Sequence, residues 1–382
     1  MIINGDCLKE LDKLEANSVD AIITDPPYEL NFMNKGWDNA GISFNKETWS
    51  KCLRLLKPGG YLLAFGGTRT YHRIACAIED AGFEIRDCIM WLYGSGFPKS
   101  MNIGLAIDKK DGIDNRTGNI KTDVKATNSG CYNCNSGKDK SIKQEYEERI
   151  AQNKWKGWGT ALKPSYEPII VARKPFKGTC VDNVLKYGVG GINIDECRVM
   201  ANDLESCYRK PTEYKDISPN APMNASKIRG SVNDDYLKGR FPANTIWDTQ
   251  EGEEWRRYFY CAKASKKDRD EGLEAFEKNI TNDGRNKPID NPYLRGKTIR
   301  YNTHPTVKPT TLMQYLIRLV CPKGSTILDP FMGSGSTGKA AMYENKERNA
   351  DYKFIGIEKD PEYCKIAEAR IRSVFPCSKE VL

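Results

Sequence analysis

Val19-Asp20-Ala21-Ile22-Ile23-Thr24-Asp25-Pro26-Pro27-Tyr28 is a short apolar run followed directly by two prolines and a tyrosine. A run of this length and composition predicts a buried strand. Pro26 and Pro27 end it, because proline interrupts the hydrogen bonding of both helices and sheets. Ligands of open α/β sheets bind outside the carboxyl ends of the strands, so we expect Asp25 and Tyr28 to face a site.

Strand-like and helix-like segments alternate around this run. Apolar residues at helical spacing predict helices near 49–56, 71–78 and 312–319, and another begins at Asp360-Pro361. Short apolar runs predict further strands at 61–65, 85–91, 325–329 and 354–358. Lys57-Pro58-Gly59-Gly60 is expected to close the first of these helices. Strands that alternate with helices predict an α/β fold with a doubly wound sheet.

Two polar blocks interrupt the alternation. Residues 109–154 are rich in Lys, Asn, Gly and Ser, which is typical of an ordered excursion or a partly disordered loop. Residues 173–303 contain few periodic segments and carry charges of both signs. We therefore expect one α/β domain built from both ends of the chain, 1–172 and 304–382, with 109–154 as an insertion and 173–303 as a separate module.

The composition of this 382-residue chain is that of an ordinary globular protein, with 39% hydrophobic and 29% charged residues. Its net charge of +8 favours a polyanionic partner such as nucleic acid, although many proteins of this charge bind none. No signal-peptide pattern and no bilayer-length apolar run is present, so we expect a cytoplasmic protein with 13 reduced cysteines. Cys131 and Cys134 form a C-x-x-C pair without further ligands nearby, which favours loop thiols over zinc, and no metal site is predicted.

A second motif, Asp329-Pro330-Phe331-Met332-Gly333-Ser334-Gly335-Ser336-Thr337, follows a predicted strand and opens a helix. Glycines let the backbone approach a ligand closely, and a helix N-terminus favours an anionic group such as a carboxylate. Glu358 lies at the end of the next predicted strand. An acidic residue about 20 residues beyond such glycines can accept hydrogen bonds from both ribose hydroxyls of an adenosine group.

The same glycine-rich turn also fits the start of a phosphate-binding P-loop. Gly333 to Lys339 matches G-x-x-x-x-G-K, but Ala340 stands where a P-loop has the Ser or Thr hydroxyl that binds Mg²⁺. A nucleotide-hydrolysing P-loop protein is therefore kept as a remote alternative.

Asp25-Pro26-Pro27-Tyr28 suits the activation of an exocyclic base amine. Such an amine is a poor nucleophile, because its lone pair is delocalised into the ring. Hydrogen bonds from its N–H groups to the Asp25 carboxylate and the Pro26 carbonyl would favour a tetrahedral nitrogen with a free lone pair. Tyr28 would stack on the base. The alternative is a strand that ends in an ordinary Pro-Pro turn with a surface tyrosine.

Together these motifs resemble the permuted β-type class of DNA amino-methyltransferases, in which the catalytic D-P-P-Y precedes the cofactor-binding F-x-G-x-G. Here Asp25-Pro26-Pro27-Tyr28 precedes Phe331-Met332-Gly333-Ser334-Gly335. Other segments are also similar to that family: Gly5-Asp6-Cys7-Leu8, Lys57-Pro58-Gly59-Gly60, Gly157-Trp158-Gly159-Thr160, Glu167-Pro168 and His304-Pro305-Thr306-Val307-Lys308-Pro309. Several motifs in this permuted order are more specific than any one of them alone.

The resemblance implies a Rossmann-like, seven-stranded and mostly parallel methyltransferase sheet, circularly permuted, with a target-recognition module at 173–303. It implies S-adenosylmethionine as the cofactor and a catalytic role for Asp25, Pro26, Pro27 and Tyr28. The implied cofactor-binding residues are Asp6, Cys7, His304, Lys308, Asp329, Phe331, Gly333, Ser334, Gly335, Ser336, Thr337 and Glu358.

The substrate implied by the resemblance is double-stranded DNA, with the target base flipped into the site. N6 of adenine is favoured over N4 of cytosine, because the cytosine enzymes more often carry Ser at the position of Asp25. Cytosine C5 methylation is disfavoured, because the sole Pro-Cys, Pro376-Cys377, is followed by Ser rather than Gln. N4-cytosine methylation stays the alternative, and methylation of RNA or protein is a more distant one. A homodimer is compatible with the resemblance, and restriction would need a separate endonuclease, since no nuclease motif is apparent.

Contacts with DNA are assigned to basic and aromatic residues. Lys263, Lys266 and Lys267 cluster near Tyr258, Phe259 and Tyr260, a pattern that suits either phosphate and base contacts or a solvated helix face. Trp158 is a candidate for lining the DNA channel, with packing as the alternative. Trp91 and Tyr93, at the end of the third strand, are candidates for contact with the flipped base.

Overall fold

The computed structural model describes residues 1–30, 41–94, 100–113, 151, 153–199, 239–248, 259–277 and 301–375, together with the backbone of strands at 116–124, 142–149, 279–281 and 298–300. The chain divides into two compact units. The larger consists of Met1–Leu92 and Glu167–Leu382, and the smaller is Tyr93–Tyr166. The expected insertion at 109–154 lies within the smaller unit.

Strands and helices alternate along the larger unit, as the sequence predicts. The strands of the described chain are β1 Ile2–Asn4, β2 Val19–Thr24, β3 Leu56–Phe65, β4 Glu84–Leu92, β5 Arg116–Val124, β6 Ile142–Arg149, β7 Tyr166–Arg173, β8 Thr245–Trp247, β9 Phe259–Tyr260, β10 Asn279–Thr281, β11 Thr298–Arg300, β12 Thr326–Asp329 and β13 Lys353–Glu358. The α-helices are α1 Cys7–Lys13, α2 Lys46–Leu55, α3 Tyr71–Asp80, α4 Ile103–Lys110, α5 Cys180–Tyr187, α6 Lys266–Asp270, α7 Thr310–Val320, α8 Ser336–Arg348 and α9 Pro361–Arg372.

Nine of these described strands form one sheet, in the order β1-β13-β12-β2-β3-β7-β4-β8-β9. The β1/β13, β13/β12, β12/β2, β2/β3, β4/β8 and β8/β9 pairs are parallel, and β3/β7 is antiparallel. The expected α/β fold with a mostly parallel sheet is therefore confirmed. The sheet has nine strands instead of seven, because the short strands β8 and β9 continue it beyond β4.

Both ends of the chain contribute to the same part of this sheet. β1 near the N-terminus pairs with β13 near the C-terminus, with Ile2 opposite Gly356. β2 and β12 are neighbours, although about three hundred residues separate them in sequence, and Leu328 lies opposite Ile22. Parallel neighbours end at the same edge of a sheet. The segments that follow β2 and β12 are thereby brought together.

The core explains the local elements on either side of β2. Every residue of β2 is buried, as expected for a central parallel strand. Asn45 caps α2 by accepting a hydrogen bond from the Glu47 backbone N–H, and the Trp49 indole donates to the Ser43 carbonyl at 2.8 Å. The helix ends at Leu55 because β3 begins at Leu56. The segment 57–60, expected to close the helix, therefore belongs to β3, where the pairing with β2 shifts register.

The smaller unit contains α4 and the antiparallel β5/β6 ribbon, in which Ile120 lies opposite Tyr146. Asn102 caps α4 by accepting a hydrogen bond from the Leu105 backbone N–H at 3.0 Å. Within the described ranges of either unit, no helix combines the length and apolar character needed to cross a membrane.

Candidate active site

Asp25 and the glycine-rich loop lie at one edge of the sheet, because they follow the neighbouring parallel strands β2 and β12. The last residues of these strands are joined directly. The Thr24 hydroxyl donates a hydrogen bond of 2.6 Å to Oδ1 of Asp329. The two motifs that the sequence singled out therefore form one site.

The Asp25 carboxylate has a partner on each oxygen. The Tyr28 hydroxyl lies 2.8 Å from Oδ1, and the Lys308 ammonium contacts Oδ2. Tyr28 also lies 3.2 Å from Oε2 of Glu167, so its single hydroxyl proton is shared between two carboxylates. Burial, with the negative charge of both carboxylates, raises the pKa of Tyr28 well above its usual value. Tyr28 is therefore a neutral hydrogen-bond donor.

Lys308 is buried between these carboxylates, with 8% of its side chain exposed. Its ammonium lies 3.4 Å from Oε2 of Glu167, 4.9 Å from the centre of the Phe65 ring and 5.4 Å from that of Tyr28. Burial lowers the pKa of Lys308, but Asp25 and Glu167 outweigh it and the net shift is upward. Lys308, expected among the cofactor residues, is thus placed on the D-P-P-Y tetrapeptide.

The glycine-rich loop needs its glycines for two reasons. Gly333 and Gly335 have φ angles of 52° and 79°, which side chains rarely tolerate. A β-carbon on Gly333 would lie 2.7 Å from Nε2 of His304, and one on Gly335 would lie 2.8 Å from Cβ of Ala367. The loop can therefore adopt this path only without side chains at these positions.

Glu358 holds the same loop from the neighbouring strand β13. Its Oε2 accepts the Gly333 backbone N–H at 2.8 Å, and Oε1 accepts that of Asp360 at 2.8 Å. Burial raises the pKa of Glu358. Each carboxylate oxygen can accept more than one hydrogen bond, so Glu358 keeps capacity for a further donor.

Asp329 and Thr337 fix the two ends of the glycine-rich loop. Asp329 is 2% exposed and accepts hydrogen bonds from Thr24, Thr337 and the Phe331 backbone. Burial raises the pKa of Asp329 to about 6, although these donors oppose the shift. Both carboxylate oxygens accept hydrogen bonds within the protein and hold the loop in place, and the predicted contact of Asp329 with the cofactor stays a prediction.

His304 packs beside the loop as a neutral ring. Its Nδ1–H donates to the Thr306 carbonyl at 3.0 Å, since a carbonyl oxygen can only accept. The ring also meets Tyr363 edge-on, with 4.7 Å between the centroids. Burial lowers the pKa of His304 to about 4. The other ring nitrogen, Nε2, is therefore an acceptor and faces Gly333.

Asp6 lies at the turn beside Glu358. The Gly5 backbone N–H donates to the Glu358 carbonyl at 2.9 Å, and Asp6 caps α1 by accepting from Leu8. Asp6 Oδ2 is 3.4 Å from the exposed Lys359 ammonium. Cys7 is buried, and burial raises the pKa of its thiol to about 12, so this thiol is unreactive.

Other predicted loop residues make contacts inside the protein. Phe331 packs against Trp49, with the ring centroids 6.3 Å apart. The buried Arg370 guanidinium donates to the carbonyl and hydroxyl of Ser334 and lies 3.4 Å from the Ser336 hydroxyl. These contacts hold the loop against α9.

The sequence of this chain matches a known protein family over most of its length. The sequence model of the family described as DNA methylase (N6/N4 methyltransferases) matches residues 19–369. The chain belongs to this family. S-adenosylmethionine is the methyl donor of the N6/N4 DNA methylases, and DNA is their substrate.

Curated relatives match the N6/N4 DNA methylase chain over nearly all of its length. Type II methyltransferase M.HindIII of Haemophilus influenzae is 23% identical over 412 residues, which cover 97% of this chain and 94% of that protein. DNA adenine methyltransferase YhdJ of Escherichia coli is 23% identical over 386 residues, which cover 100% of this chain and 85% of that protein. Of the solved structures, the M1.HpyAVI–SAM complex is 19% identical with a TM-score of 0.40, over 97% of this chain and 98% of that one.

The donor set of this N6/N4 DNA methylase fits an adenosine-containing cofactor. Glu358 and Asp6 place two carboxylates at neighbouring strand ends, where they can accept hydrogen bonds from hydroxyl and amine groups. The side-chain-free backbone at Gly333 and Gly335 lies beside them. Among the described residues, no group of three or more His, Cys, Asp and Glu could hold a metal ion, and Cys131 and Cys134 lie outside those residues.

The P-loop alternative fails on the position of Lys339 in this DNA methylase. The Lys339 side chain is fully buried, and its ammonium pairs with Oε2 of Glu271 at 2.9 Å. A P-loop lysine must instead reach the phosphates of its ligand. Together with Ala340, this burial excludes phosphate binding of that type.

The aromatic residues proposed for DNA contact differ in exposure. Trp91 is 3% exposed and its indole donates to the Cys261 carbonyl at 2.9 Å, so it belongs to the core. Tyr93 is 6% exposed. Both rings are thus largely buried in this structure, and their contact with a flipped base stays a prediction. Trp158 is 59% exposed and meets Trp155 edge-on at 5.3 Å, which leaves it accessible.

The basic residues near α6 differ in exposure, and their contact with DNA stays a prediction. Lys266 and Lys267 are exposed on α6, and Ser265 and Asp268 cap the N-terminus of this helix with a capping box. Lys263 is half-buried. Phe259 is half-buried and stacks on Tyr315 with 4.0 Å between centroids, whereas Tyr258 lies outside the described residues.

Glu167 is the site residue that sequence reasoning left without a role. The pair Glu167-Pro168 was similar to the family, but nothing in its spacing relates it to Asp25. The fold brings it there because β7 inserts antiparallel beside β3, and its N-terminal end meets the carboxyl end of that strand. In the sequence, the one indication of a role for Glu167 was its charge at the start of an otherwise apolar strand.

Proposed function

We propose that this DNA methylase transfers a methyl group from S-adenosylmethionine to N6 of adenine in duplex DNA. The observation that carries the proposal is the joined pair of strand ends, which sets the Asp25 carboxylate beside the glycine-rich loop. The N4-cytosine enzymes more often carry Ser at the position of Asp25, so an aspartate here favours N6 of adenine as the target. The Escherichia coli relative, a DNA adenine methyltransferase, supports the same choice.

In this proposal, Asp25 and the Pro26 carbonyl accept hydrogen bonds from the target amine. These bonds favour a nitrogen whose lone pair is free to attack. Tyr28 covers the base, and its hydroxyl keeps Asp25 oriented at 2.8 Å. The prolines fix the direction of the carbonyl, since proline restricts φ and the residue before it. No covalent bond between base and protein is required.

The cofactor site is assigned to the loop and its neighbours. Glu358 would hold the ribose hydroxyls, Asp6 would approach the adenine, and the backbone from Gly333 to Gly335 would lie against the rest of the molecule. When bound, S-adenosylmethionine supplies an electrophilic methyl group. Asp329 and Thr337 keep the loop in place, and His304 packs against Gly333.

The DNA-facing parts are assigned to the basic and aromatic residues that remain accessible. A base within a duplex is out of reach, so the target must be flipped into the site. Residues 173–303 are proposed as the target-recognition region, and Lys263, Lys266 and Lys267 would contact phosphates there. Trp158 would line the channel that holds the DNA. A homodimer and a separate restriction endonuclease stay predictions from the family resemblance, and a cytoplasmic location stays a prediction from the sequence.

The test is transfer of labelled methyl from S-adenosylmethionine to unmethylated duplex DNA, followed by mass spectrometry of the nucleosides. N6-methyladenine is expected. N4-methylcytosine would keep the fold and the cofactor but refute the assignment to adenine. Asp25→Ala should bind the cofactor and lose transfer, and a fully active Asp25→Ala protein would exclude the proposed catalytic role.

A further inference from the structure

The proposed reaction centre contains more charge than the D-P-P-Y tetrapeptide alone explains. Lys308 contacts Oδ2 of Asp25 and lies 3.4 Å from Oε2 of Glu167. The Tyr28 hydroxyl bridges the same carboxylates at 2.8 and 3.2 Å. These groups are largely withdrawn from water, with 8%, 19% and 22% of the Lys308, Asp25 and Glu167 side chains exposed. Their charges are therefore weakly screened.

The signs of these charges decide what the cluster can do. Lys308 keeps its proton, because its pKa is raised by Asp25 and Glu167 despite burial. One ammonium and two carboxylates give a net charge of about −1, whereas Asp25 and Lys308 alone would be neutral. The excess negative charge of the cluster thus comes from Glu167.

Methyl transfer needs negative charge at this place. The amine lone pair forms the N–C bond, the electrons of the broken C–S bond return to sulfur, and the nitrogen then releases one proton to solvent. A positive charge therefore moves from sulfur onto the acceptor nitrogen. Fixed negative charge beside that nitrogen stabilises the transition state. An Asp25 carboxylate fully neutralised by Lys308 would contribute little.

We propose that Glu167 is a positioning residue that counterbalances Lys308, so that Asp25 stays effectively anionic toward the target amine. The inference rests on the proposed function. Glu167 acts through Lys308 and Tyr28. It also makes the site prefer a cationic sulfonium ligand over the neutral thioether product, because the sulfonium must lie next to the amine for transfer.

The experiment compares Glu167→Gln with the double variant Glu167→Gln/Lys308→Met. The single variant leaves Asp25 neutralised by Lys308, and its single-turnover rate of methyl transfer should fall on the order of 10- to 100-fold. The double variant restores the excess negative charge, and methionine fills a volume similar to that of lysine. It should regain at least about a tenfold rate over the single variant. A purely structural role for Glu167 gives the opposite result, a further loss when Lys308 is also removed.

A second readout does not depend on catalysis. The affinities for S-adenosylmethionine and S-adenosylhomocysteine are measured by calorimetry for each protein. The preference for the cationic ligand should drop roughly threefold to tenfold in Glu167→Gln and return in the double variant. Glu167→Asp retains the charge and should stay closer to wild type than Glu167→Gln in both readouts. The comparison of Glu167→Asp with Glu167→Gln therefore still tests the role of the charge if the double variant does not fold.

Glu84→Gln is the matched control. Glu84 pairs with Arg173 at 2.7 Å, and Arg173 lies on the same strand as Glu167. In Glu84→Gln, the rate of methyl transfer and the preference for S-adenosylmethionine over S-adenosylhomocysteine should stay within about twofold of wild type. A wild-type rate in Glu167→Gln, or a double variant slower than the single one, overturns the inference alone. A wild-type protein that methylates no DNA base overturns the proposed function and this inference with it.

Discussion

Thr24 and Asp329, the last residues of two neighbouring strands, are joined by a hydrogen bond of 2.6 Å between the hydroxyl and Oδ1. The two residues are 305 positions apart in sequence. The other oxygen of Asp329 accepts from Thr337 at the start of α8. This buried carboxylate therefore couples the tetrapeptide after β2 to the loop after β12.

The same carboxylate predicts a pH dependence of stability. Burial raises the pKa of Asp329 from 3.8 to about 6. The folded state thus binds its proton more tightly than the unfolded state. The contribution of Asp329 is fully present below pH 3.8 and is lost as the pH rises through 6. For a fully buried group this change is on the order of 2 to 3 kcal/mol.

Asp329→Asn should remove this dependence, because an amide does not titrate. Urea unfolding between pH 4 and 7 measures the free energy of unfolding of both proteins. We expect the wild-type value to fall relative to that of Asp329→Asn as the pH rises. Asp80→Asn, at an exposed position of α3, serves as the control and should follow wild type. Parallel curves for wild type and Asp329→Asn would contradict the assignment.

Gly333→Ala tests the packing of the loop against His304. The β-carbon would lie 2.7 Å from Nε2 of a partly enclosed ring, at a φ of 52°. We expect a loss of about 1–2 kcal/mol from the backbone alone and a further loss from the displaced ring. S-adenosylmethionine affinity should fall at least about tenfold by calorimetry.

Gly324→Ala separates the cost of the positive φ angle from the clash with the His304 ring. Gly324 has a φ of 81°, but a β-carbon there would meet nothing within 4 Å. It carries the backbone cost without the clash and should retain cofactor affinity. Equal losses of cofactor affinity in the two variants would refute a specific role for the Gly333–His304 contact.

Glu358→Gln tests the assignment of the ribose contact. The change replaces a carboxylate that accepts from Gly333 and Asp360 with an amide that has one acceptor oxygen. Affinity for S-adenosylmethionine should fall on the order of 10- to 100-fold, since hydrogen bonds to charged groups are strong. Glu362→Gln, an exposed residue of α9 paired with Lys365, is the control. Cofactor binding by Glu358→Gln at wild-type strength would be incompatible with the proposed site.

The sequence predicted the elements on which the site is built. The strand at 19–24 and those near 325–329 and 354–358 are confirmed as β2, β12 and β13, because short apolar runs bounded by turn residues are typical of buried strands. The resemblance to the methyltransferases supplied the expectation that D-P-P-Y and the glycine loop act together. Neither motif alone determines which strands are neighbours.

The parts that could not be predicted depend on contacts distant in sequence. The ion pairs of Lys308 with Asp25 and Glu167 were not predicted, although a buried ammonium requires such counter-charges. The hydrogen bond from the Trp91 indole to the Cys261 carbonyl was also not predicted, because it depends on β9 extending the sheet. Side-chain pairing of this kind follows from strand order, which spacing along the chain does not give.

Trp158→Ala tests the proposed DNA channel. Trp158 is 59% exposed and touches Trp155, so its removal should leave the melting temperature nearly unchanged. If its ring stacks on a base or sugar, DNA affinity should fall roughly fivefold to 100-fold, the effect of losing one aromatic platform. Fluorescence anisotropy with a labelled duplex at fixed salt measures this. Leu162→Ala, at a 93% exposed position in the same unit, is the control. Equal DNA affinities of both variants and wild type would place the DNA path elsewhere on the protein.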